Sequence, residues 1–524
     1  MKQKHLPTAK HASRASEPTK KRQDSFPWRS LEQQVVRMQK RITQAARRGD
    51  LEVVHALQQR LLESEPARLL AVRRVAEENQ GKDTAGIDGV KSLDPKERLA
   101  MAAAIHPNNW KSQPALPVRR VWIPKSDSGE QRPISILPML DRCKQALVKL
   151  ALEPEWEARF EAHSYGFRPG RSPHDALAAI VVALERRPMF VCYADIASAF
   201  DHVDQAALLS KLHTFPTLQQ MIHTWLKAGV MDGTRSFEMF RAPTPLSRLA
   251  SLRSAESKYA PSTTGIAQGG ILSPLLMNVA LHGMEAVVRS DEVSGQDPAP
   301  GKEPPLLVRY ADNFVIAHPD LSVLRRVVRR VRHWLASIGL QLHATKTGTS
   351  HTLNPYRGQV GFDFLGFHLH QEAWGQSPSV KPSSTEMRPF FTSLPGRLTS
   401  PGVALPVRTV IEPSQEAIKR HLAALDQRLQ AAQAASQAQV IGELNPLIVG
   451  WVAYYNGMIE ASLMSHYDDL LEERLIAWAS RRHPGQPRDW LLDRYWQRIG
   501  KQRVFATPDG VQLRRYQSGR LLPR

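Results

Sequence analysis

Apolar residues recur at a helical spacing near the start of the chain. Leu31, Val35, Met38 and Ile42 lie three or four residues apart, which places them on one face of an amphipathic helix. Ser30, followed three residues later by a glutamine, predicts a capping box at the start of that helix. Similar helical patterns are found at 51–61, 69–75, 140–160, 173–187, 204–228 and 321–339.

Short apolar runs between these helices predict strands. The run from Met189 to Asp195 is almost entirely apolar and ends in a carboxylate, and the run from Leu306 to His318 predicts two strands around a tight turn. From Pro413 onward the pattern is helical throughout. Further strands are predicted at 118–137, 340–351 and 359–369, an extended insertion at 231–262, and a Pro-, Ser- and Gly-rich linker with some strand at 370–412.

The charge balance points to a class of partner. The 524 residues include 70 Lys and Arg against 50 Asp and Glu, which gives a net charge of +20 and a pI near 10.1. Such an excess favours a polyanionic partner, because each phosphate that a basic side chain neutralises releases a condensed counterion. A generally basic protein, or one that lies on an acidic membrane surface, is the alternative that charge alone leaves open.

Other features of the composition disfavour several classes of protein. The two cysteines, Cys143 and Cys192, form no CxxC pair, so neither a zinc ribbon nor a disulfide scaffold organises the fold. A reducing compartment is the simplest context for them. No apolar run reaches the ~18 residues of a membrane span. The basic N-terminal residues lack the apolar core of a secretory signal, which predicts a disordered arm and leaves a transit peptide open.

Two segments present carboxylates in a way that suits metal-dependent chemistry. An apolar strand ends at Asp195, and a second apolar segment carries Asp312 beside Asn313, residue types that tolerate the positive φ of a two-residue hairpin. Nucleotidyl transfer uses two divalent ions about 3.5–4 Å apart, and magnesium prefers oxygen ligands. Each segment alone is also what an ordinary strand end or hairpin contains, so neither identifies a catalytic site by itself.

Ordered sequence blocks around these carboxylates resemble the reverse transcriptase and maturase encoded by bacterial and organellar group II introns. The resemblance covers nearly the whole chain and follows the order of blocks in that family. Its two most specific blocks run from Ser164 to Ser172 and from Gly265 to Leu275. The other blocks are Thr84–Gly89, Arg120–Lys125, Gln131–Ser135, Phe364–Phe367 and Leu444–Tyr455.

The resemblance implies an α+β fold of the right-hand polymerase type. Such a fold has fingers, a palm with an antiparallel sheet, and an all-helical thumb that forms the maturase domain. The aromatic residues at the end of the chain would either contact DNA or form the packed end of the thumb, and the sequence leaves both open. The expected units are a basic, disordered arm at 1–28, an N-terminal extension and fingers at 29–185, the palm with the catalytic site at 186–372, a linker at 373–412, the thumb or maturase domain at 413–485, and a basic, DNA-binding-like tail at 486–524.

The same resemblance implies the residues of a polymerase site. Asp195, the carbonyl of Ile196 and Asp312 would bind two Mg²⁺ ions, with Asn313 beside them in the catalytic turn. Phe200 would lie under the sugar and exclude a 2′-hydroxyl, so that deoxynucleotides are preferred. The residues that would bind the deoxynucleoside triphosphate are Lys125, Arg132, Phe200, Gln268 and Lys346.

The implied partners are group II intron RNA, target DNA and deoxynucleoside triphosphates, with no membrane. The protein would copy intron RNA into DNA during retrohoming and would bind the intron as a maturase to assist its splicing. The expected location is the bacterial cytoplasm, in ribonucleoprotein or nucleoid, with an organelle as the alternative. The residues that would contact nucleic acid are Arg168, Arg171, Gly366, Trp451 and Tyr455. For Arg168 and Arg171, a Gly- and Pro-bearing block favours contact with the template backbone over a place in the core.

Two departures from the family pattern leave alternatives open. The second aspartate of the family's catalytic turn is replaced by Asn313, which keeps an oxygen but loses a unit charge. A splicing maturase with a weakened or vestigial polymerase site is therefore an alternative, as is a reverse transcriptase recruited to phage defence or to a CRISPR locus. The chain also shows no HNH nuclease with paired cysteines, so we expect priming from another source, such as a nascent strand at a replication fork.

Overall fold

The structure is a computed structural model that describes residues 27–79, 81–124, 131–185, 187–232, 259–290, 304–373, 407–500 and 502–517. The described helices are α1 (Trp28–Arg47), α2 (Leu51–Glu63), α3 (Glu65–Arg73), α4 (Pro95–Ala104), α5 (Met139–Arg159), α6 (Pro173–Leu184), α7 (Ala199–His202), α8 (Gln205–Leu212), α9 (Pro216–Lys227), α10 (Ser273–Leu281), α11 (Met284–Arg289), α12 (Leu321–Ser337), α13 (Gln415–Ala431), α14 (Gln437–Tyr455), α15 (Ala461–Arg482) and α16 (Arg488–Tyr495). None of these helices has the length and apolar character needed to cross a membrane.

The described strands form antiparallel pairs, with one parallel pairing between β1 and β4. They are β1 (Val118–Pro124), β2 (Gln131–Ile136), β3 (Phe190–Asp195), β4 (Val230–Asp232), β5 (Tyr259–Ala260), β6 (Leu306–Tyr310), β7 (Asn313–His318), β8 (Gly348–His351), β9 (Phe362–Phe364), β10 (Phe367–Ala373), β11 (Val407–Pro413), β12 (Trp496–Ile499) and β13 (Gln502–Phe505). Together with the helices they confirm the predicted α+β fold.

The N-terminal helices pack on the long helix α5. Gln58 of α2 donates from Nε2 to Oε2 of Glu155 on α5 at 2.7 Å, and both side chains are buried. The predicted capping box is wrong, because α1 begins at Trp28 and Ser30 lies inside its first turn. A sheet in the order β2-β1-β4-β5 follows these helices in the chain.

The central sheet has the order β6-β7-β3-β8 and is buried on both faces. Alternate residues of a strand point to opposite faces. Val191 of β3 therefore packs in one core with α6, whereas Cys192 and Ala194 pack in a second core with α5 and α8. A short, almost entirely apolar run is the sequence signature of such a strand. The predicted strand at 340–351 is shorter than expected, because β8 begins at Gly348.

A third sheet, in the order β11-β10-β9, joins the central region to the C-terminal helices. Leu365 and Gly366 form the turn between β9 and β10, both with positive φ (51° and 80°). Strand β11 leads directly into α13, so the end of the predicted linker is a paired strand. Residues 374–406 of that linker lie outside the described residues.

The last described residues form a hairpin instead of the predicted helix. Trp496 of β12 pairs with Phe505 of β13, and their ring centroids lie 5.0 Å apart. Cross-strand aromatic pairs of this kind stabilise a hairpin. Four of the five aromatic side chains in this region are buried, and Trp490 is 36% exposed. The region is therefore the packed end of the C-terminal helices, one of the two interpretations that the sequence left open. The buried side chains are Tyr495, Trp496, Phe505 and Tyr516.

The central sheet and the C-terminal helices share one hydrophobic core. Val191 and Val308 of the central sheet belong to the same cluster as Phe367 of the third sheet, Trp451 of α14 and Leu475 of α15. The apolar side chains of the C-terminal helices are therefore continuous with the core on one face of the sheet rather than forming a separate core.

A buried histidine in this shared core should make stability depend on pH. Burial, together with the charge of Arg474, lowers the pKa of His421 to about 4. The ring of His421 stacks on Trp451 at 4.2 Å, and its Nε2 atom lies 2.5 Å from the hydroxyl oxygen of Tyr516, within hydrogen-bond distance. In the unfolded chain, His421 binds a proton as the pH falls through about 6.5, whereas in the folded chain it stays neutral until the pH approaches about 4. Stability contributed by the neutral ring is therefore present above pH 6.5 and is lost as the pH falls towards 4.

We expect His421→Gln to remove part of this acid sensitivity. A shift of this size corresponds to at most about 3 kcal/mol of unfolding free energy. Thermal unfolding of wild-type protein and variant should be compared at pH 7.5 and pH 5. The loss of melting temperature between the two pH values should be smaller for His421→Gln, with exposed His466→Gln as the matched control. An equal loss in all three proteins would contradict the assignment.

Candidate active site

Strand register brings the two predicted carboxylates to one edge of the central sheet. Asp195, the last residue of β3, is the Cα partner of Asn313, the first residue of β7. The amide of Ile196 donates to the carbonyl of Asp312 at 3.1 Å. On the other side, the amide of His343 donates to the carbonyl of Asp195 at 2.7 Å. Backbone pairing on both sides therefore fixes the end of β3 beside the turn that carries Asp312.

The turn between β6 and β7 differs by one residue from the predicted one. Tyr310 pairs with Asn313, so the two turn residues are Ala311 and Asp312, and Asn313 already belongs to β7. The positive φ falls on Ala311, at 57°. A non-glycine residue in this region costs roughly 1–2 kcal/mol. The turn is thus a strained conformation that its surroundings must hold in place.

A loop packs directly behind the strained turn. A Cβ atom on Gly166 would lie 2.3 Å from the backbone nitrogen of Ala311, which leaves room only for glycine. Tyr165 donates its amide to the carbonyl of Arg309 at 2.8 Å, and Asn278 donates from Nδ2 to the carbonyl of Gly166 at 2.8 Å. The specific sequence block around Gly166 therefore supports the turn that carries Asp312.

A buried arginine completes this support and was not predicted as a site residue. Arg309 is 1% exposed, and its Nη1 donates to Oδ1 of Asn278 at 2.9 Å and to the carbonyl of Ala311 at 3.2 Å. Burial lowers the pKa of Arg309 to about 10, so it stays charged at neutral pH. Burial opposes ionisation of Glu161, yet His282 and Arg309 lower its pKa to about 2. The arginine was visible in the sequence only as one charge within an apolar strand.

The two carboxylates lie in an environment that favours a bound cation. Burial raises the pKa of Asp195, and the charge of Asp312 raises it further. Burial also raises the pKa of Asp312, although Arg132 opposes this. The Nζ atom of Lys346, whose side chain is 62% exposed, lies 3.7 Å from Oδ2 of Asp195. A divalent ion would relieve the repulsion between two partly desolvated carboxylates.

The donor set fits magnesium. Two carboxylates provide hard oxygen atoms, which Mg²⁺ prefers. The backbone bonds on either side of Ile196 use the carbonyls of Asp195 and Gln341, so the carbonyl of Ile196 takes no part in this pairing. The Nδ2 atom of Asn313 lies 3.4 Å from Oδ1 of Asp312, in the orientation of a weak donor. Asn313 thus adds a hydrogen-bond donor where a second aspartate would add a charge.

The predicted nucleotide-binding residues lie near this edge, with one exception. The Nε atom of Arg132 donates to Oε1 of Gln268 at 3.4 Å, and Nε2 of Gln268 donates to Oδ2 of Asp201 at 3.0 Å. Phe200 and Gln268 line a cavity of about 350 Å³ together with Arg120. Lys125 lies outside the described residues. The glutamine therefore links the exposed arginine to the segment that carries Phe200.

The structure corrects the prediction that Arg168 contacts nucleic acid. Its side chain is 4% exposed, and its guanidinium binds the carboxylate of Glu157 at 3.0 Å and the carbonyls of Glu161 and Ser164. These internal partners occupy the guanidinium, so Arg168 shapes the loop rather than binding phosphate. Arg171, in contrast, is exposed, with its guanidinium over the ring of Tyr165.

Trp451 and Tyr455 are also corrected as nucleic-acid contacts, because they are only 9% and 4% exposed. The hydroxyl of Tyr455 donates to the carbonyl of Gly366 at 3.0 Å, and the hydroxyl of Tyr454 donates to the carbonyl of Leu365 at 2.7 Å. The tyrosines of α14 therefore position the turn between β9 and β10. Gly366 lies at that turn and has no side chain. Its contact with nucleic acid therefore stays a prediction, and only its backbone could make it.

One exposed basic surface was missed in the sequence. Helix α12 buries Leu324, Val327, Val331 and Leu335, and the opposite side is rich in arginine. No salt bridge within the described part of the chain engages these arginines. The run of paired arginines between apolar residues was the signal that could have revealed this surface. The exposed members are Arg325, Arg326, Arg329 and Arg332.

Three segments of the chain match protein families. Residues 123–369 match the family described as reverse transcriptase (RNA-dependent DNA polymerase). Residues 24–105 match the N-terminal domain of reverse transcriptase. Residues 418–496 match the maturase-specific domain of group II introns. The candidate site, from Asp195 to Lys346, lies within the first match.

Several curated proteins are similar to this chain. Protein YkfC of Escherichia coli (strain K12) is 30% identical over 348 residues, which cover 59% of this chain and 83% of YkfC. The group II intron-encoded protein LtrA of Lactococcus lactis subsp. cremoris is 30% identical over 215 residues, 40% of this chain and 31% of LtrA. Nuclear intron maturase 1, mitochondrial, of Arabidopsis thaliana is 36% identical over 102 residues, 18% of this chain and 13% of that protein. The matched regions thus span most of YkfC but less than a third of LtrA.

Proposed function

The chain belongs to the family of reverse transcriptases and maturases encoded by group II introns, and on this basis we propose that it synthesises DNA on an RNA template and binds intron RNA to assist splicing. The observation that carries the polymerase part is the register of β3 and β7. That register brings Asp195 beside Asp312 at one edge of the sheet, within the part of the chain that matches the polymerase family.

The proposed chemistry is two-metal nucleotidyl transfer. Asp195 and Asp312, with the carbonyl of Ile196, would hold two Mg²⁺ ions. Ions held there would supply Lewis-acid chemistry, which lowers the pKa of an attacking hydroxyl and stabilises the charge of a leaving pyrophosphate. The protein's own contribution is to hold both carboxylates in place before substrate arrives, through the backbone pairing of β3 and the support behind Ala311.

The proposed nucleotide site uses side chains on the other side of this edge. Arg132 would bind the triphosphate, since a guanidinium can make paired contacts with phosphate oxygens. Its hydrogen bond to Gln268 supports this role, because it limits the positions the exposed side chain can adopt. Phe200 would lie under the sugar of a deoxynucleotide. Lys125 would bind the triphosphate with Arg132, and Lys346 would balance the charge of Asp195.

The proposed RNA partner is supported by the maturase match and by the exposed arginines of α12. Four exposed arginines on one helix favour phosphate contacts, because each can release a counterion from RNA. Target DNA would bind through the same attraction between phosphates and arginine side chains, and Arg171 would be a further contact. The buried side chains of Arg168, Trp451 and Tyr455 are not part of this proposal.

A vestigial polymerase site is the second candidate, and Asn313 is the observation that favours it. The amide donor 3.4 Å from Oδ1 of Asp312 takes up an oxygen lone pair that a metal could use. The intact pairing of Asp195 and the strained, supported turn favour the active enzyme instead. A scaffold that holds Ala311 at positive φ is expected where geometry matters for chemistry.

Primer extension on an RNA template with Mg²⁺ tests the two candidates. We expect wild-type protein to extend the primer and Asn313→Asp to extend it no more than about tenfold faster, a difference of about 1.4 kcal/mol. Asn354→Asp is the matched control, because it makes the same charge change at an exposed position. If the wild-type protein binds intron RNA but makes no DNA, and the Asn313→Asp variant does make DNA, the vestigial polymerase site is the correct candidate. If neither protein makes DNA, the polymerase proposal is wrong.

A further inference from the structure

One face of the third sheet carries ionisable side chains that the proposed polymerase chemistry does not use. Alternate residues of a strand point the same way. In β10, His368, His370 and Glu372 therefore share the face opposite to the buried side chains of Phe367 and Leu369. None of the three lies in the catalytic edge formed by β3 and β7.

Strand pairing places further carboxylates beside these histidines. His368 pairs with Asp363 of β9 on one side and with Glu412 of β11 on the other. Directly opposed side chains in a sheet have Cβ atoms about 4.5–5.5 Å apart. Accordingly, one ligand atom each from His368, His370 and Glu412 all lie within 4.8 Å of one another. Three potential ligands from two neighbouring strands thus converge at one point.

The surroundings of the histidines resemble those of metal ligands. The Nδ1 atom of His368 lies 2.6 Å from Oδ1 of Asp363. A carboxylate that accepts from one ring nitrogen fixes the tautomer of a metal-binding histidine. The backbone of Val360 also hydrogen-bonds to the His368 ring, so a metal would have to displace that contact. The Nδ1 atom of His370 is buried and has no hydrogen-bond partner within the described residues. An unpaired buried nitrogen is costly unless something else binds it.

We propose that His368, His370 and Glu412 form a binding site for a divalent transition-metal ion such as Zn²⁺. Two imidazoles and one carboxylate are a common ligand set for Zn²⁺, and water fills the fourth tetrahedral position. Imidazole ligands select against Mg²⁺, which requires oxygen. Ligand atoms around tetrahedral Zn²⁺ lie about 3.3 Å apart. Rotation of the partly buried side chains, which would also release His368 from the backbone of Val360, has to bring the three atoms closer to reach this spacing.

The alternative is an ion pair without a metal, in which His368 is protonated. The hydrogen bond to Asp363 raises the pKa of His368, with the charge of Glu412 in support and burial in opposition. That arrangement explains His368 but leaves the buried Nδ1 of His370 without a partner. A bound metal accounts for both rings, and it would fasten β10 to β11, the strand that leads into α13.

Calorimetric titration with ZnCl₂ tests the site in the full chain. Wild-type protein in buffer with excess Mg²⁺ is expected to bind one Zn²⁺ more per chain than His370→Ala. His466→Ala, which removes an exposed histidine elsewhere, is the matched control and should bind as many ions as wild-type protein. Glu412→Gln should weaken the same binding event by about 10-fold or more, because a charged ligand becomes neutral.

Several outcomes would overturn the proposal. It is wrong if His370→Ala and wild-type protein bind the same number of Zn²⁺ ions, or if His466→Ala loses as much binding as His370→Ala. It is also wrong if Glu412→Gln, with unchanged thermal unfolding in EDTA, binds Zn²⁺ as wild-type protein does.

Primer extension distinguishes this site from the proposed polymerase site. The assay uses protein treated with EDTA and then supplied with Mg²⁺. His370→Ala should keep DNA synthesis, whereas failure of the proposed polymerase function would leave the Zn²⁺ titration unchanged.

Discussion

Replacing Asp312 with alanine is expected to abolish DNA synthesis and to leave binding of intron RNA and its splicing largely intact. Loss of a direct metal ligand should reduce primer extension by at least about 10³-fold, more than the roughly 10–100-fold that removal of an outer-shell partner costs. The reason is that Asp195 would remain as the single carboxylate at this edge. Splicing is catalysed by the RNA in this family, so the proposed metal site of the protein would have no part in it.

The fold should survive this substitution. Burial raises the pKa of Asp312, so its charged form is held in an unfavourable environment, and its removal relieves repulsion with Asp195. Thermal unfolding in EDTA should therefore be unchanged or slightly higher. Asp509→Ala, at an exposed aspartate, is the matched control for both assays. Equal loss of DNA synthesis and of splicing in Asp312→Ala would contradict this division of labour.

Replacing Gly166 with alanine should have an effect almost as large, although Gly166 touches no substrate. The added methyl group would lie 2.3 Å from the backbone nitrogen of Ala311, so either the loop or the catalytic turn must move. Ala311 already has a strained, positive φ, so displacing the turn would add to the strain of its backbone. A displacement of about 1 Å at reacting groups can cost about 10²-fold in rate. We expect primer extension to fall by that factor or more.

The control for this variant is a glycine whose surroundings leave space. Gly442 lies in α14, and a Cβ atom there meets nothing within 4 Å. Gly442→Ala should keep full activity and should raise stability by up to about 1 kcal/mol, as expected inside a helix. Binding of Mg²⁺ to Gly166→Ala should weaken together with its activity. Wild-type primer extension by Gly166→Ala would show that the loop can yield without moving Asp312.

The sequence predicted the catalytic edge better than its support. An apolar run that ends at Asp195 and a second run around Asp312 were sufficient to predict two strands and two converging carboxylates. The turn was predicted one residue too late, because positive φ is usual for Asn and unusual for Ala. The contacts that hold Ala311 in this conformation come from Gly166, far away in the chain, and from the buried Arg309.

The roles of large polar and aromatic side chains could not be read from the sequence. Arg168 lies in a loop whose composition suits phosphate binding, yet Glu157 at the end of α5 captures its guanidinium. Trp451 and Tyr455 recur at helical spacing, which fits a buried stripe and a stacking surface equally well. The hairpin near Phe505 was missed because cross-strand aromatic packing overrides a weak local preference. In each case the deciding partner belongs to another element of the fold.

The core that the central sheet shares with the C-terminal helices limits how this protein can change over evolutionary time. Helices α14 and α15 belong to the same hydrophobic core as Val191 and Val308 of the sheet, so the proposed RNA binding would depend on the sheet even if DNA synthesis were lost. Selection for splicing alone would therefore preserve the whole scaffold. It would not preserve Asp195 and Asp312, whose charges the folded chain does not need. Under the proposed function, both aspartates are therefore expected to be retained only while DNA synthesis is selected.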